Sequence, residues 1–113
     1  MHAKRFPPCG GSTLDRYTIR LYAKAYRDID EIYAYIAENL QEPDIAESMV
    51  ARLEDAISSL ECFPKRGAIR KIGSYANQDY RQLFVKNFTI VYRILEEKGE
   101  VHIVTVRYTP SSF

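Results

Sequence analysis

The sequence predicts an α+β fold in which one N-terminal strand is followed by an antiparallel helical hairpin and then by three antiparallel strands packed on the helices. Residues 17–22 alternate and are rich in β-forming side chains, which is typical of a strand. Between residues 23 and 60 apolar side chains recur at spacings of three and four, which indicates helices. Residues 80–108 form three strand-like runs. At 113 residues the chain can bury one core but not two.

The first 14 residues are set apart from the predicted fold. They contain Pro7-Pro8 and Gly10-Gly11-Ser12 and show no periodicity. We interpret residues 1–14 as a flexible leader, a misassigned start or a remnant of an expression vector. Residues 15–113 are therefore assigned to a single domain.

The first helix is predicted from about Ala23 to near Asn39, because acidic and basic residues occupy the face opposite an apolar stripe. Within that stripe Tyr26 and Tyr33 are expected in the core, whereas Tyr35 is expected to be exposed. The predicted stripe comprises Tyr26, Ile29, Tyr33, Ile36, Ala37 and Leu40.

A second helix is predicted to begin at Pro43, since proline is harmless in a first helical turn. Phe63-Pro64 ends it, because proline cannot continue a helix. The two helices are joined by about three residues and must lie roughly antiparallel. The second stripe comprises Ile45, Met49, Val50, Leu53, Ala56, Ile57 and Leu60.

The last third of the chain predicts a meander of strands after a connection at residues 68–79, in which residues 69–72 are the candidate for a short extended piece. Lys86-Asn87 predicts a tight hairpin between residues 80–85 and 88–95, for which the tolerance of asparagine for positive φ is suitable. In such a hairpin Val85 pairs with Phe88, Leu83 with Ile90 and Arg81 with Tyr92. The sequence does not decide which side chains of the final strand face the helices, because a shift of one residue in the register moves every side chain to the opposite face.

Composition excludes some classes of protein. No apolar run is long enough to cross a membrane and the N-terminus has no apolar signal core, so a cytoplasmic protein is expected. Cys9 and Cys62 form neither a metal-ligand spacing nor a disulfide framework, and Cys62 is expected to be a small buried apolar residue. His2 and His102 lie far apart. We therefore expect no metal and no cofactor.

Charge is divided unevenly along the chain. Residues 15–63 carry 5 basic and 11 acidic side chains, whereas residues 64–113 carry 9 basic and 4 acidic ones. This separation predicts an anionic or acidic partner for the C-terminal half. The alternative is two solvated faces that happen to differ in sign.

Several short motifs, taken in order, resemble the RelE/ParE family of toxins from bacterial type II toxin–antitoxin systems. The resemblance covers about residues 17–109, and the long helical hairpin with its Phe-Pro-x-x-Gly exit is more similar to the ParE and plasmid-stabilisation branch. The motifs are Tyr-Ile-Ala-Glu-Asn-Leu at 35–40, Pro-Asp-Ile-Ala at 43–46, the run at 56–67, Tyr80-Arg81, Val-Lys-Asn-Phe at 85–88 and Val-Tyr-Arg at 91–93.

The resemblance implies a growth-arresting toxin that is neutralised by an antitoxin encoded beside it. ParE-like members poison DNA gyrase, and RelE-like members cut messenger RNA on the ribosome without a metal. On the helical hairpin we favour the non-enzymatic gyrase poison, and the ribosome-dependent endoribonuclease is the alternative. A third possibility is a degenerate toxin that retains only antitoxin binding, because Pro110-Ser111 stands where many members carry a pair of arginines.

The candidate site residues are mostly the cations of the C-terminal half. If the chain is an endoribonuclease, Arg81, Arg107 and Tyr108 are the candidate catalytic residues, since cleavage through the 2′-hydroxyl needs proton carriers and fixed cations. Arg81 could instead pair with the acidic helices, and Tyr92 and His102 could be structural. The candidate binding residues are Arg81, Arg93, Lys86, Lys65, Arg66 and Arg70.

Overall fold

The computed structural model describes residues 16–69, 71 and 80–108, and its α+β architecture confirms the predicted fold class. The leader at 1–14 lies outside the described residues. The elements are β1 (Thr18–Leu21), α1 (Ala23–Ala34), a π-helical turn (Tyr35–Asn39), α2 (Pro43–Ser59), a 3₁₀ turn (Pro64–Arg66), β2 (Ala68–Ile69), β3 (Tyr80–Val85), β4 (Phe88–Leu95) and β5 (Glu100–Tyr108).

The five described strands form one sheet in the order β1-β5-β4-β3-β2, in which β1 runs parallel to β5 and the other neighbours are antiparallel. The predicted hairpin is confirmed, including the pairs Val85–Phe88, Leu83–Ile90 and Arg81–Tyr92. The positive φ of 55° falls on Lys86 and not on the asparagine that was expected to adopt it.

Both helices pack on one face of the sheet, but α1 is rotated relative to the prediction. Ala25 and Ile36 are buried against the sheet, with Ile29 and Ile32 beside them. The prediction that Tyr26 and Tyr33 lie in the core is wrong, because the two side chains are 60% and 37% exposed. Small Ala25 lets the helix approach the strands closely, and a tyrosine is easily left at the surface because its hydroxyl is hydrated there.

The helical hairpin differs from the prediction at its tip and at the end of α2, which lies at Ser59 and not at Phe63-Pro64. The first helical stretch ends at Asn39 and α2 begins at Pro43, as expected. The π-helical turn inserts extra chain before Gln41, which closes the turn with a φ of 55°. Leu40 and Ile45 are consequently exposed at 52% and 54% and not in the core. Ala46 occupies the buried position in the first turn of α2.

The segment after α2 ties the helices to the far edge of the sheet. Leu60 and Pro64 are buried, and β2 pairs with the start of β3, so the predicted extended piece begins at Ala68. Cys62 is half-buried and disulfide-bonded, which corrects its predicted role as a simple buried apolar residue. The other cysteine lies outside the described residues.

A β-bulge settles the face of β5 that the sequence left open. Val91 pairs with Thr105 and Tyr92 pairs with Ile103, so Val104 is an extra residue on β5. Asp28 of α1 accepts hydrogen bonds at this bulge from the Thr105 hydroxyl and, at 3.1 Å, from the Val106 N–H. Lys24 pairs with the same carboxylate at 3.1 Å. Asp28 therefore joins α1 to the irregular part of the sheet.

Asp28→Asn is expected to lower the free energy of unfolding at pH 7 by about 2 kcal/mol, because an amide replaces a charged acceptor of two hydrogen bonds. Burial raises the pKa of Asp28, but hydrogen bonds from Thr105 and Val106 and the charge of Lys24 outweigh it and hold the pKa below 3.8. Since the folded pKa is depressed, this stabilisation is present above pH 3.8 and lost as the pH falls through the folded value.

Urea unfolding of the wild type and Asp28→Asn at pH 7 and in strong acid measures this contribution. The exposed Asp30→Asn on the same helix is the matched control and should be nearly neutral. A difference between Asp28→Asn and wild type that is equally large in strong acid would contradict the assignment.

Candidate functional site

The predicted site residues are divided between the two ends of the sheet. Lys65, Arg81 and Arg93 lie at the end where β3 begins and β4 finishes, which we call the loop end. Lys86, Arg107 and Tyr108 lie around the β3–β4 hairpin, which we call the hairpin end.

At the loop end a set of buried hydrogen bonds fixes the chain that follows α2. The Tyr92 hydroxyl donates to the Pro64 carbonyl at 2.7 Å and accepts from the Gly67 N–H at 3.0 Å. Arg81 donates from Nη1 to the Gly67 carbonyl at 2.7 Å. Burial raises the pKa of Tyr92 above 10.0. This hydroxyl is therefore a neutral structural group, in agreement with the packing role considered for Tyr92.

The loop end also contains a cavity of about 540 Å³, which we call the basic pocket. It brings together three predicted binding residues, Lys65, Arg81 and Arg93. Lys98, in the turn between β4 and β5, also lines it, although sequence reasoning did not single out this residue. This turn lies beside Lys65 because β2, which follows Lys65, pairs with β3, and β3 pairs with β4, which leads into the turn.

Arg93 lies on the face of β4 turned away from the helices, which we call the far face. Its guanidinium carbon is 5.3 Å from the centroid of the Tyr80 ring, a cation–π contact. Its Nε is buried and has no hydrogen-bond partner among the described residues. The side chain thus contacts a neutral aromatic ring, while its Nε–H lacks an acceptor in the described part of the chain.

The far face carries a second polar network centred on His102. Nε2 of His102 lies 2.9 Å from Glu100 and Nδ1 lies 3.0 Å from the Tyr22 hydroxyl. Arg20 donates to the same carboxylate at 3.1 Å. The hydrogen bond to His102, followed by that to Arg20, lowers the pKa of Glu100. Both ring nitrogens of His102 are engaged, which fits its proposed structural role.

At the hairpin end the exposed ring of Tyr108 stacks edge-to-face on Phe88, with ring centroids 5.7 Å apart. Both aromatic residues line a cavity of about 690 Å³ between the hairpin and the helices, which we call the apolar groove. Exposed apolar side chains of the helical hairpin form its other side, namely Tyr35, Leu40 and Ile45. Exposed Glu31 adds a negative charge to the lining, whereas the carboxylate of Asp28 is already paired with Lys24.

The remaining predicted residues are dispersed. Arg66 donates to the Ser59 hydroxyl at 2.7 Å, so it fastens the end of α2. Lys86 is exposed in the hairpin turn. Arg70 lies outside the described residues.

The three candidate catalytic side chains are not brought together. Arg81 pairs with Tyr92 but Arg107 pairs with Thr89, three residues away along β4, which corresponds to about 10 Å. Because β3 and β5 flank β4, crossing the sheet adds about 9.6 Å. Alternation also places Arg81 on the helix side and Arg107 on the far face, and Tyr108 faces opposite to Arg107. Their catalytic assignment stays a prediction.

Within the described part of the chain, no group of three or more His, Cys, Asp and Glu side chains is arranged to hold a metal ion. The described helices include none that is long and apolar enough to cross a bilayer.

Two solved structures of toxin–antitoxin systems have a fold similar to that of this chain. A chromosomal ParDE toxin–antitoxin system from P. aeruginosa matches with a TM-score of 0.70 and 20% identity, over 85% of this chain and 99% of that chain. The RelBE2 toxin–antitoxin complex from Mycobacterium tuberculosis matches with a TM-score of 0.60 and 22% identity, over 88% and 98% of the two chains. At these identities the matches define the fold.

Sequence comparison identifies the family. The model of the ParE toxin of type II toxin-antitoxin system, parDE, matches residues 19–110. "Putative toxin Y4kP" of Sinorhizobium fredii (strain NBRC 101917 / NGR234) is 34% identical over 97 residues, which cover 84% of this chain and 91% of the relative. The chain therefore belongs to the ParE toxin family of type II toxin–antitoxin systems, as the resemblance predicted.

Proposed function

We propose that this toxin arrests growth by inhibiting DNA gyrase without catalysing a reaction, and that an antitoxin neutralises it by filling the apolar groove. The observation that carries the choice of target is the separation of Arg81 from Arg107 and Tyr108. Metal-free cleavage of RNA needs its cations and proton carriers within hydrogen-bond reach of one phosphate. Arg81 and Arg107 leave the sheet about 14 Å apart and on opposite faces, and Tyr108 lies one residue farther from Arg81 along the strand, so the three side chains do not provide such a centre.

Family membership supports the same target, since the resemblance to the ParE branch implies gyrase. The helical hairpin, with 17 residues in α2, supports that branch as well. Arg81 has a second role besides any contact with a target, because its hydrogen bond to Gly67 holds the chain after α2. Substitution of Arg81 would thus disturb the fold together with function.

The apolar groove supports the antitoxin half of the proposal. Exposed Tyr35, Leu40 and Ile45 form one wall and Tyr108 the other, so water contacts a row of large apolar side chains in the free toxin. An amphipathic helix placed in such a groove buries apolar residues at spacings of three and four. The exposed carboxylate of Glu31 in the lining favours a segment with a flanking basic residue.

Purified toxin tests the target directly. We expect it to inhibit supercoiling of relaxed plasmid by gyrase, and we expect the purified product of the adjacent gene to relieve that inhibition. Ribosomes programmed with messenger form the second arm of the assay, in which the toxin is expected to leave the messenger intact. Normal supercoiling in molar excess of toxin would refute the gyrase target, and cleaved messenger would establish the endoribonuclease.

A further inference from the structure

The basic pocket has an excess of positive charge that the described residues do not neutralise. Four of its lining residues are cationic and two, Glu96 and Glu97, are acidic. One pair forms between them, Lys65 with Glu96 at 3.2 Å, and both side chains are mostly exposed. A pair of this kind contributes little in water, so the cavity keeps a net positive potential.

Two arginines of the pocket are positioned by neutral groups and not by carboxylates. Arg81 is held by the Gly67 carbonyl, and Arg93 is held against the Tyr80 ring. Among the described residues neither guanidinium forms an ion pair, and the buried Nε of Arg93 lacks any partner. Burying part of a charged group without a hydrogen-bond partner is costly, and the charge of an anion in the pocket would offset part of that cost.

We infer that the basic pocket binds a phosphoryl group. A guanidinium group can donate two parallel hydrogen bonds to a phosphate or to a carboxylate. The choice between these two ligands therefore rests on geometry and charge. Arg81 and Arg93 leave neighbouring strands on opposite faces and reach the cavity at the end of the sheet from two sides. A tetrahedral phosphoryl group offers oxygens in both directions, whereas the two oxygens of a carboxylate lie in one plane.

Charge and wall composition agree with this assignment. A phosphate monoester carries about −1.5 to −2 charges at neutral pH, which matches the excess of two positive charges among the lining residues. Ile69, Ile94 and Leu95 provide apolar walls beside the cations, and Ile69 is 48% exposed. These walls suit the sugar or base of a nucleotide. The nucleotide could carry a terminal phosphate or be part of a nucleic-acid backbone.

Amide chemical shifts of the full ¹⁵N-labelled chain test this inference independently of gyrase, so that it can fail while the proposed target stands. The probes are inorganic phosphate, a nucleoside 5′-monophosphate, a short single-stranded DNA with a 5′-hydroxyl, and acetate. Saturable shifts are expected in the turn at residues 96–99 and near Ile69. Binding of the monophosphate alone would identify a terminal phosphate as the ligand, and binding of the DNA would identify a phosphodiester.

Matched double variants locate the site. Lys65→Gln with Lys98→Gln removes two cations of the pocket and is expected to weaken phosphate binding about tenfold. Lys86→Gln with Arg107→Gln removes the same charge from the hairpin end and is expected to change the affinity less than about twofold. No saturable shift, equal losses in the two double variants, or acetate binding as tightly as phosphate would each overturn the inference.

Discussion

Gly67→Ala is expected to lower the free energy of unfolding by about 3 kcal/mol, even though the backbone of Gly67 is in an ordinary extended conformation. A Cβ at this position would lie 2.5 Å from the Gln82 carbonyl oxygen and 2.6 Å from the Tyr92 hydroxyl. The first contact is with backbone and cannot be relieved by rotation of a side chain. The second contact breaks the hydrogen bonds by which Tyr92 holds Pro64 and Gly67.

Gly99→Ala is the matched control, because glycine is favoured there by its positive φ and not by a lack of space for a Cβ. A Cβ at Gly99 meets nothing within 4 Å, but φ is +64°, so alanine there should cost about 1 kcal/mol from conformation alone. In a Tyr92→Phe background the cost of Gly67→Ala should decrease but not vanish. Urea unfolding measures the free energy of unfolding of Gly67→Ala, Gly99→Ala, Tyr92→Phe and the double variant with Tyr92→Phe and Gly67→Ala. A smaller loss of stability for Gly67→Ala than for Gly99→Ala would contradict the close packing at the loop end.

Ile45→Asp is expected to weaken antitoxin binding about 100-fold while leaving the toxin folded. Ile45 is 54% exposed on the wall of the apolar groove, so a carboxylate there would be buried against an apolar partner segment. It also lies in the first turn of α2, where a negative charge is favourable to the helix. The substitution therefore separates partner binding from stability.

Tyr26→Asp provides the comparison for this variant. Tyr26 is also a large side chain, 60% exposed in the first turn of α1, but it lies outside the apolar groove. Tyr26→Asp should bind the product of the adjacent gene with an affinity close to that of the wild type. Cells that make both proteins should lose protection only with Ile45→Asp. Equal affinities for the two variants would exclude the groove as the antitoxin site.

Local signals made most of the fold predictable. Pro43 marks the start of α2, and Lys86-Asn87 sets a hairpin whose register follows once the turn has two residues. Pro64 predicted the end of α2 only approximately, because the helix already ends at Ser59. The burial of α1 was harder to predict, because two stripes one residue apart share Ile29 and Ile36. Packing against the sheet selects the stripe with Ala25, and no property of Tyr26 or Tyr33 shows this choice in the sequence.

The site residues were predicted by type but not by arrangement. Basic residues of the C-terminal half were expected to act together, yet they gather at two separate ends of the sheet. The register causes this, because Arg81 pairs with Tyr92 near the end of β4 and Arg107 pairs with Thr89 near its start. Alternation along a strand is exact only within one regular strand, and the bulge at Val104 breaks it. Lys98 could be recognised only once the turn after β4 was placed beside Lys65.

The most direct measurement is the order in which DNA and protein synthesis fail, followed by pulse-labelling in the minutes after the toxin is induced without its antitoxin. Cells that also make the antitoxin are the control. We expect the incorporation of thymidine to fall first while the incorporation of amino acids continues. An early collapse of protein synthesis while DNA synthesis continues would contradict gyrase inhibition and would make the ribosome the target.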